Sequence, residues 1–413
     1  MKTVKWWMVL LGTTLLVAPE LAMGQVPPSN VPVTQRPRPD FDPLGIRAGA
    51  FLIFPSVTVI GTYDSNVYAE DNNRDDDVGL LVAPRITARS QWARHALEAT
   101  VDARGGLFVE ETGNNFLEVG GQVQGRLDIT RQSRLNGTVS LRRRVEDRTD
   151  PNTTGVRDQT VFYVGRAAVV LRHEFARFFV QPGVQVTRLE YEDAGAFNND
   201  DRDRIRLQGG VRAGFKVSPR INAFAEAAAN VVRYDQTPDD AGVNRDSEGF
   251  SVRAGAEIDF TGLLFGEFAV GYARQDYDDP ALNTADGLSA LIQLTWNVTP
   301  LTSVIVTGEA GVRETTVQFA GQRASANLQQ RISVEVVHEL RRNVLISGLV
   351  GYQRDDFQGT ARTDNSFRVG AGVRYLVNRW LSLDVQYDFT ARRSDAAVEY
   401  VRHIVRTAVT LQR

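Results

Sequence analysis

The chain has 413 residues, a formal net charge of −3 and no cysteine. Without cysteine there is no disulfide scaffold, thiolate zinc site, cysteine nucleophile or lipoprotein anchor, and the slightly acidic balance excludes an overall field that would recruit nucleic acid. Hydrophobic residues make up 42% of the chain, and after the N-terminus no apolar run approaches the ~18 residues that a membrane-spanning helix needs.

Residues 1–24 have the composition of a secretory signal peptide. Two lysines provide the charged start, residues 6–17 form the apolar core, and Ala22 and Gly24 fit a small-residue cleavage site. A single transmembrane anchor is the alternative, but this apolar core is too short to span a bilayer. The sequence therefore predicts a secreted protein.

Residues 25–47 are rich in proline. The prolines are Pro27, Pro28, Pro32, Pro37, Pro39 and Pro43. Because proline lacks an N–H group, such a segment is a poor central strand and favours an extended, solvated backbone. We interpret it as a periplasmic tail that serves as a spacer. Contact with a periplasmic partner and packing inside the following domain remain open as alternatives.

From residue 48 to the C-terminus, apolar and polar residues alternate with a period of two. Near the C-terminus, for example, Leu383 and Val385 fall on one face while Asp384 and Asp388 fall on the other. This pattern is typical of β-strands with one apolar face. The stretches run for about ten residues or more, which exceeds the usual strand of a soluble sheet and matches a tilted transmembrane strand.

Short and long connections alternate between these stretches. The short ones lie near Trp92, Arg131, Glu174, Ser218, Thr261, Thr299, Arg341 and Asn378. The long ones are acidic and include residues 71–77, 147–158, 191–203, 235–246, 276–286 and 315–325. Eight short turns between nine long-looped hairpins give about eighteen strands with both ends on the periplasmic side, as in bacterial outer-membrane barrels.

A β-propeller is the soluble alternative, since its blades repeat at a similar length. Each blade uses four short strands, however, whereas each repeat of this chain holds two long ones. We therefore predict an all-β fold over residues 48–413: a transmembrane, antiparallel, up-and-down β-barrel with short periplasmic turns and longer, acidic extracellular loops.

Tryptophan is concentrated at the predicted short turns. Trp92, Trp296 and Trp380 all lie there. Aromatic residues are enriched where a transmembrane barrel crosses the membrane–water interface. These three tryptophans are therefore candidates for the periplasmic aromatic girdle.

The first hairpin carries the motif Tyr63-Asp64-Ser65-Asn66-Val67-Tyr68, followed by an acidic loop and a returning strand over residues 78–88. The motif resembles that of the putative β-barrel porin family of proteobacterial outer-membrane proteins, and together with the hairpin pattern the resemblance covers residues 50–413. It implies an outer-membrane pore. Members of the family often accompany exopolysaccharide or capsule export machinery, and the resemblance supplies no catalytic residues.

The polar faces of the strands are expected to line the lumen. The candidate lining residues are Arg142, Arg144, Arg204, Arg206, Arg212, Arg253, Arg368, Arg374, Glu118, Glu257, Asp259, Asp384 and Asp388. Rings of such charges set ion preference in pores, and paired charges that stiffen the wall are an equally open interpretation. The arginines suit an anionic or sugar polymer while the acidic loops would repel an anion, so the signs leave the cargo open.

We predict no catalytic centre, no metal site and no cofactor. His95, His173 and His338 fall near periplasmic turns, and His403 lies in mid-strand without a serine that the sequence pairs with it. Residues 71–77 lack the glycine and terminal glutamate of an EF-hand loop. Solvated charge is the favoured interpretation of this run, with loose binding of divalent cations as the alternative.

The sequence thus predicts a passive outer-membrane conduit of a Gram-negative bacterium, with exopolysaccharide export as the favoured role. A general diffusion porin for small solutes and a sealed structural or adhesive barrel are the alternatives. Expected partners are outer-membrane lipid and lipopolysaccharide, the barrel-assembly machinery and periplasmic polysaccharide-export proteins. Nucleic acid is not an expected partner.

Overall fold

The computed structural model describes residues 31–72, 74–153, 157–195, 197–260 and 262–413. The predicted signal peptide, residues 1–24, lies outside the described residues. Within the described part of the chain, no helix is long and apolar enough to cross a membrane.

Eighteen long strands form one antiparallel sheet, joined at its start by the short strand β1 (Ile46–Ala48). The long strands are β2 (Phe51–Asp64), β3 (Asp77–Ser90), β4 (Ala96–Phe108), β5 (Phe116–Asp128), β6 (Ser133–Val145), β7 (Val161–Glu174), β8 (Phe178–Tyr191), β9 (Arg204–Ser218), β10 (Ile221–Tyr234), β11 (Ser247–Phe260), β12 (Leu264–Tyr277), β13 (Ala285–Thr299), β14 (Thr302–Glu314), β17 (Ala326–Arg341), β18 (Val344–Phe357), β19 (Thr363–Leu376), β20 (Leu381–Ser394) and β21 (Tyr400–Gln412). A small hairpin of β15 (Gln318–Phe319) and β16 (Gln322–Arg323) lies in the connection between β14 and β17. Single 3-10 turns occur at Val33–Gln35, Thr112–Asn114 and Asp200–Arg202.

The sheet closes on itself. Each long strand pairs with the next one in the chain, and β2 pairs with β21 from Ser56↔Gln412 to Asp64↔Ile404. Closure removes the free edges that an open sheet would expose to lipid, so every long strand has two hydrogen-bonded neighbours. The predicted eighteen-strand, up-and-down barrel is confirmed.

Alternation along each strand gives the barrel an apolar outside. In β3, the even-numbered Val78, Leu80 and Val82 are exposed, whereas the odd-numbered Leu81 and Ala83 are buried. The same period of two recurs around the barrel, and it leaves a belt of exposed valine, leucine and aromatic side chains. Such a belt is what a lipid-facing surface requires.

Local side-chain hydrogen bonds shape several of the short turns. The Asn378 Oδ1 accepts the backbone N–H groups of Trp380 at 2.8 Å and Leu381 at 3.0 Å. Similarly, the Thr130 Oγ1 accepts the N–H groups of Gln132 and Ser133. Asparagine and threonine side chains imitate a turn of backbone in this way, which explains why the chain reverses at the predicted positions.

The proline-rich segment differs from the expected spacer. From residue 31 onward it lies inside the periplasmic end of the barrel, where the Val33 N–H donates to the Ser303 Oγ at 2.8 Å and the Asn297 Nδ2 donates to the Val31 carbonyl at 3.2 Å. Val33 is fully buried against Val337. A proline-rich backbone has few N–H groups to satisfy, so its carbonyls can be served by lumen donors without a strand partner.

An ion pair secures this segment. The Arg38 guanidinium lies 2.6 Å from the Glu339 carboxylate, and both side chains are buried. A second Arg38 hydrogen bond holds the Val33 carbonyl at 2.9 Å, and the Arg379 Nε donates to the Pro39 carbonyl at 2.9 Å. We call residues 31–45 the N-terminal insert.

The hairpin formed by β14 and β17 bends into the barrel at its extracellular end. Pairing between β13 and β14 begins only at Ala290↔Ala310, although β14 continues to Glu314. Beyond that point Val312 packs in a buried cluster with Ala273 of β12, Ala285 of β13 and Ala326 of β17, and Arg313 and Glu314 line a cavity with residues of β7 to β9. The hairpin therefore leaves its partner and leans across the lumen.

Candidate functional site

The predicted lining residues lie on barrel strands, and most have their side chains on the inner face. In β9, Ile205 and Leu207 are exposed on the outside, whereas Arg204, Arg206 and Arg212 are not exposed. Asp259 is different, because it is exposed at the periplasmic end of β11, where its Oδ1 accepts the Gly262 N–H at 3.2 Å.

One wall of the lumen carries a dense network of charges. The Arg212 guanidinium lies 2.8 Å from Glu226 and 2.6 Å from Glu267, and Arg172 lies 3.0 Å from Glu257. Strands β7 and β11, which carry Arg172 and Glu257, are not neighbours, so this contact crosses the interior.

The same network is reinforced by aromatic rings. Arg253 pairs with Glu226, and the Arg212 guanidinium lies over the Phe224 ring at 4.1 Å. Of these residues, the sequence analysis selected Arg212, Arg253 and Glu257 but missed Glu226. Glu226 alternates with alanines on β10, so extending the period-two rule to that strand would have found it.

On the opposite side, the predicted charges of β19 and β20 are paired with one another. Asp388 accepts from Arg368 at 2.8 Å and from Arg406 at 2.9 Å, while Arg374 lies 2.5 Å from Asp384. Arg374 and Asp384 face each other directly, and the two contacts of Asp388 are diagonal pairs between inner positions of adjacent strands. These contacts hold the wall together and neutralise much of its charge.

The strands β4 to β6 have looser pairing. Arg142 lies 3.2 Å from Asp102, and Glu118 lies 4.0 Å from Arg104. Arg144 forms no ion pair with the residues that the structure describes. Positive charge is therefore less completely neutralised on this side.

The described part of the loop between β6 and β7, residues 146–153 and 157–160, reaches across the barrel; we call it the crossing loop. Asp150 lies 3.7 Å from Arg313 of β14, and Asp147 lies 3.9 Å from Arg402 of β21. The Arg362 Nη2 also donates to the Pro151 carbonyl at 2.9 Å. The crossing loop is thus attached to the far wall, close to where the β14–β17 hairpin bends inward.

The hairpin leaves a narrow space against strands β7 to β9, which we call the constriction, and the crossing loop is attached beside it through Arg313. A cavity of about 50 Å³ remains between strands β7 to β9 and the hairpin. Its charged lining is Arg166, Arg204, Arg206, Glu309, Arg313 and Glu314. Two of these, Arg204 and Arg206, were predicted from sequence. The other four were missed because strand alternation does not reveal which inward positions face one another across a barrel.

The motif of the first hairpin has a structural role at the extracellular rim. Asn66 is fully buried, and its Nδ2 donates to the Glu70 carbonyl at 2.7 Å and to the Val401 carbonyl at 3.1 Å. Asp64 accepts from the Arg402 Nε at 2.9 Å. The motif therefore joins the first loop to the last strand where the barrel closes.

Tyr68 connects the motif to its neighbouring loops. Its hydroxyl donates to the Glu111 carboxylate at 2.6 Å, and the Arg157 guanidinium lies over its ring at 4.4 Å. Burial, followed by the hydrogen bond to Glu111, raises the pKa of Tyr68 above its ordinary value. Three extracellular loops meet at this side chain.

Burial also shifts the pKa values of two carboxylates in the extracellular loops. Burial raises the pKa of Glu146, which pairs with Arg202, and it raises the pKa of Asp201 to about 6. Arg245 and Asp239 form a buried ion pair at 2.7 Å. No group of three or more potential metal ligands occurs among the residues that the structure covers.

A family model described as "Putative beta-barrel porin 2" matches residues 38–413. The chain belongs to this β-barrel porin family. With the closed barrel, this membership makes it an outer-membrane protein of the Gram-negative type. No curated protein matches the chain significantly.

Solved outer-membrane proteins show a distant structural likeness to this porin. The outer membrane protein opdK from Pseudomonas aeruginosa has 11% identity and a TM-score of 0.37, and the match covers 87% of this chain and 99% of opdK. The copper transporter OprC has 10% identity and a TM-score of 0.46, with 89% and 81% covered. The siderophore receptor PirA from Acinetobacter baumannii has 7% identity and a TM-score of 0.43, with 87% and 80% covered.

The three tryptophans of the porin barrel lie at its periplasmic end. Trp92, Trp296 and Trp380 are all exposed, and Trp92 meets the Phe51 ring edge-on at 5.6 Å. Exposed indoles at this height fit the membrane–water interface. We keep the girdle as a prediction for these residues.

The histidines of the porin make cross-strand contacts. The His173 Nδ1 lies 2.8 Å from the Ser133 Oγ, its direct partner on β6, and the His338 Nδ1 lies 2.9 Å from the Thr302 Oγ1 in the same way. Two such pairs at equivalent periplasmic positions indicate a repeated structural contact. His403 lies 2.8 Å from the Tyr387 hydroxyl.

Proposed function

We propose that this porin is a passive conduit through a polar lumen and that it serves exopolysaccharide export. The main support for a pore is the contrast between the two faces of the sheet. Apolar side chains face outward on strands such as β3 and β9, while charged side chains face inward across the barrel. A barrel of this strand number encloses an aqueous channel.

The family resemblance supports exopolysaccharide export as the role of the pore, and the chemistry of the lumen is compatible with this role. Arginine forks bind carboxylate and sugar hydroxyl groups, and Arg144, Arg166 and Arg206 lie on strands β6 to β9 along one side of the interior. We further propose that the periplasmic end, where the N-terminal insert lies, faces periplasmic export proteins. Outer-membrane lipid, lipopolysaccharide and the barrel-assembly machinery are the other partners that we propose.

The constriction favours a second candidate, general diffusion of small solutes. The β14–β17 hairpin leaves a small cavity against strands β7 to β9, and the crossing loop is attached to Arg313 beside it. A gap of this size would admit small solutes more readily than a polymer unless the loop moves.

Deletion of the protein from its host distinguishes the two candidates. Export predicts that the deletion strain loses surface polysaccharide, that the wild-type chain restores it, and that uptake of small sugars is unchanged. General diffusion predicts intact surface polysaccharide together with slower sugar uptake. In liposome-swelling assays, the diffusion candidate also predicts entry rates that fall with sugar size. Retained polysaccharide and slowed uptake would overturn the export proposal.

A further inference from the structure

The cavity at the constriction has an excess of positive charge. Arg166, Arg204 and Arg206 approach it from strands β7 and β9, and Arg313 approaches it from β14 on the other side. Two carboxylates, Glu309 and Glu314, complete the charged lining among the described residues. Four guanidinium groups therefore face two carboxylates across a narrow space.

Both carboxylates already have partners outside this set of arginines. Glu309 lies 2.7 Å from Arg331, which belongs to the neighbouring β17. Glu314 accepts from the hydroxyl groups of Tyr234 and Tyr277, each at 3.4 Å. The tyrosines are neutral, so Glu314 still offsets one arginine charge, and Arg313 pairs with Asp150 at 3.7 Å. With Glu309 balanced by Arg331, the three guanidinium groups of Arg166, Arg204 and Arg206 face the single charge of Glu314, which leaves a positive excess.

Arg206 has hydrogen-bonding capacity to spare. Its Nε is buried and has no hydrogen-bond partner among the described residues. Buried donors are normally satisfied, and the guanidinium can offer an N–H fork to a planar anion. Arg204 gives one donor to the Arg202 carbonyl at 2.6 Å, which leaves other N–H groups of that side chain for a ligand.

We propose that Arg166 and Arg206 form a carboxylate-binding site at the constriction, which holds an acidic sugar as it passes through the lumen. The proposal rests on the pore function and specifies its substrate class. The carboxylate can belong to a free sugar acid or to a uronic acid unit of a polymer. In the narrow space between protein walls, attraction between guanidinium and carboxylate is stronger than in bulk water, and Arg–carboxylate pairing is bidentate.

Binding is tested on the full mature chain in detergent micelles, by saturation-transfer NMR with galacturonate and with neutral galactose as the probes. We expect the wild type to bind galacturonate and not galactose. The double variant Arg166→Gln/Arg206→Gln should weaken galacturonate binding by about tenfold or more, because each charge-assisted contact is worth about one decade in affinity. Equal binding of both sugars by the wild type would overturn the site.

Arg374→Gln is the matched control. It also removes one lumen charge, but Arg374 lies in the periplasmic half, held by Asp384. Galacturonate binding should persist in this variant, and its loss there to the same extent would overturn the assignment to the constriction. If the double variant does not fold, Arg206→Lys keeps the charge and removes the fork, so weaker binding by this variant supports the site and unchanged binding contradicts it.

Planar-bilayer recordings separate the site from the pore. Conductance with anion preference in the wild type, shifted toward cations in the double variant, supports both. Galacturonate binding that depends on Arg166 and Arg206 in a barrel that does not conduct upholds the site and rejects the pore. Conductance without galacturonate binding rejects the site and keeps the pore. Tighter binding of a galacturonate trimer than of the monomer assigns the carboxylate to a polymer, and equal binding assigns it to free acids.

Discussion

Asn66 explains why the motif of the first hairpin matters physically. Its side chain satisfies two backbone carbonyls, one in its own loop and one on the last strand, and it is fully buried. Replacing it with alanine leaves those carbonyls without donors inside the protein, which costs about 1–3 kcal/mol. The cost falls on the closure of the barrel at its extracellular rim.

We therefore expect Asn66→Ala to increase protease cleavage and hydrogen exchange in the first loop while the barrel stays folded. Asn72→Ala, at an exposed position of the same loop, is the control. Equal protection of the two variants would show that Asn66 does not hold the loop.

Asp201 gives the extracellular loops a pH dependence. Burial raises the pKa of Asp201 to about 6, from its ordinary value of 3.8. Because the folded-state pKa is raised, the stabilising contribution is fully present below about 3.8 and is lost as pH rises through about 6. The packed loop is therefore stabilised in acid and loosened near neutrality.

Hydrogen exchange, corrected for its intrinsic pH dependence, should show greater protection around residue 201 at about pH 5 than at about pH 8. Asp201→Asn, which stays neutral, should remove this difference. A pH response that persists in the asparagine variant would assign the effect to another group.

Single residues show both the reach and the limit of sequence reasoning. Arg212 and Asp388 could be selected because alternation places them on the polar face of a strand. Arg166 and Arg313 obey the same rule, but they were not chosen because their importance depends on what lies across the lumen. Pairing between distant strands is set by the diameter and tilt of the barrel, which a period of two does not encode.

The crossing loop is the element that is attached beside the constriction from the other side of the barrel. Two aspartates connect it to the far wall, at Arg313 and Arg402. Neutralising both with Asp147→Asn/Asp150→Asn removes the ionic part of the attachment, so the loop should move more freely. We expect larger and noisier single-channel currents.

Asp158→Asn is the control for this change, because Asp158 lies in the same loop and is exposed. Its currents should resemble those of the wild type. Identical conductance in the double variant and in this control would show that the crossing loop does not limit the passage.

Other elements differ in how far the sequence anticipates them. Strand and turn positions follow from alternation and from turn residues such as Asn378. The bend of the β14–β17 hairpin does not, because alternation is unchanged whether or not a strand leaves its neighbour. The N-terminal insert follows the alternative that the sequence left open beside a spacer, packing inside the following domain: proline disfavours a central strand, but it does not prevent a segment from packing by its carbonyls and a buried ion pair.

The molecule as a whole combines a wide barrel with segments that occupy the lumen at both ends. The N-terminal insert occupies part of the periplasmic end, and the crossing loop and bent hairpin narrow the extracellular half. Between them, walls rich in paired charge surround the interior. Under the proposed function, the barrel supplies the passage, and the segments that occupy its two ends set what can pass.

The measurement that tests this account most directly is the single-channel conductance of the refolded mature protein in a planar bilayer, compared with a form that lacks residues 25–45. The account predicts a stable conductance for the full chain and a larger one after truncation, because the N-terminal insert occupies the periplasmic mouth. Silence from both proteins, with folding verified by heat-modifiable mobility, would contradict the pore and indicate a sealed structural barrel.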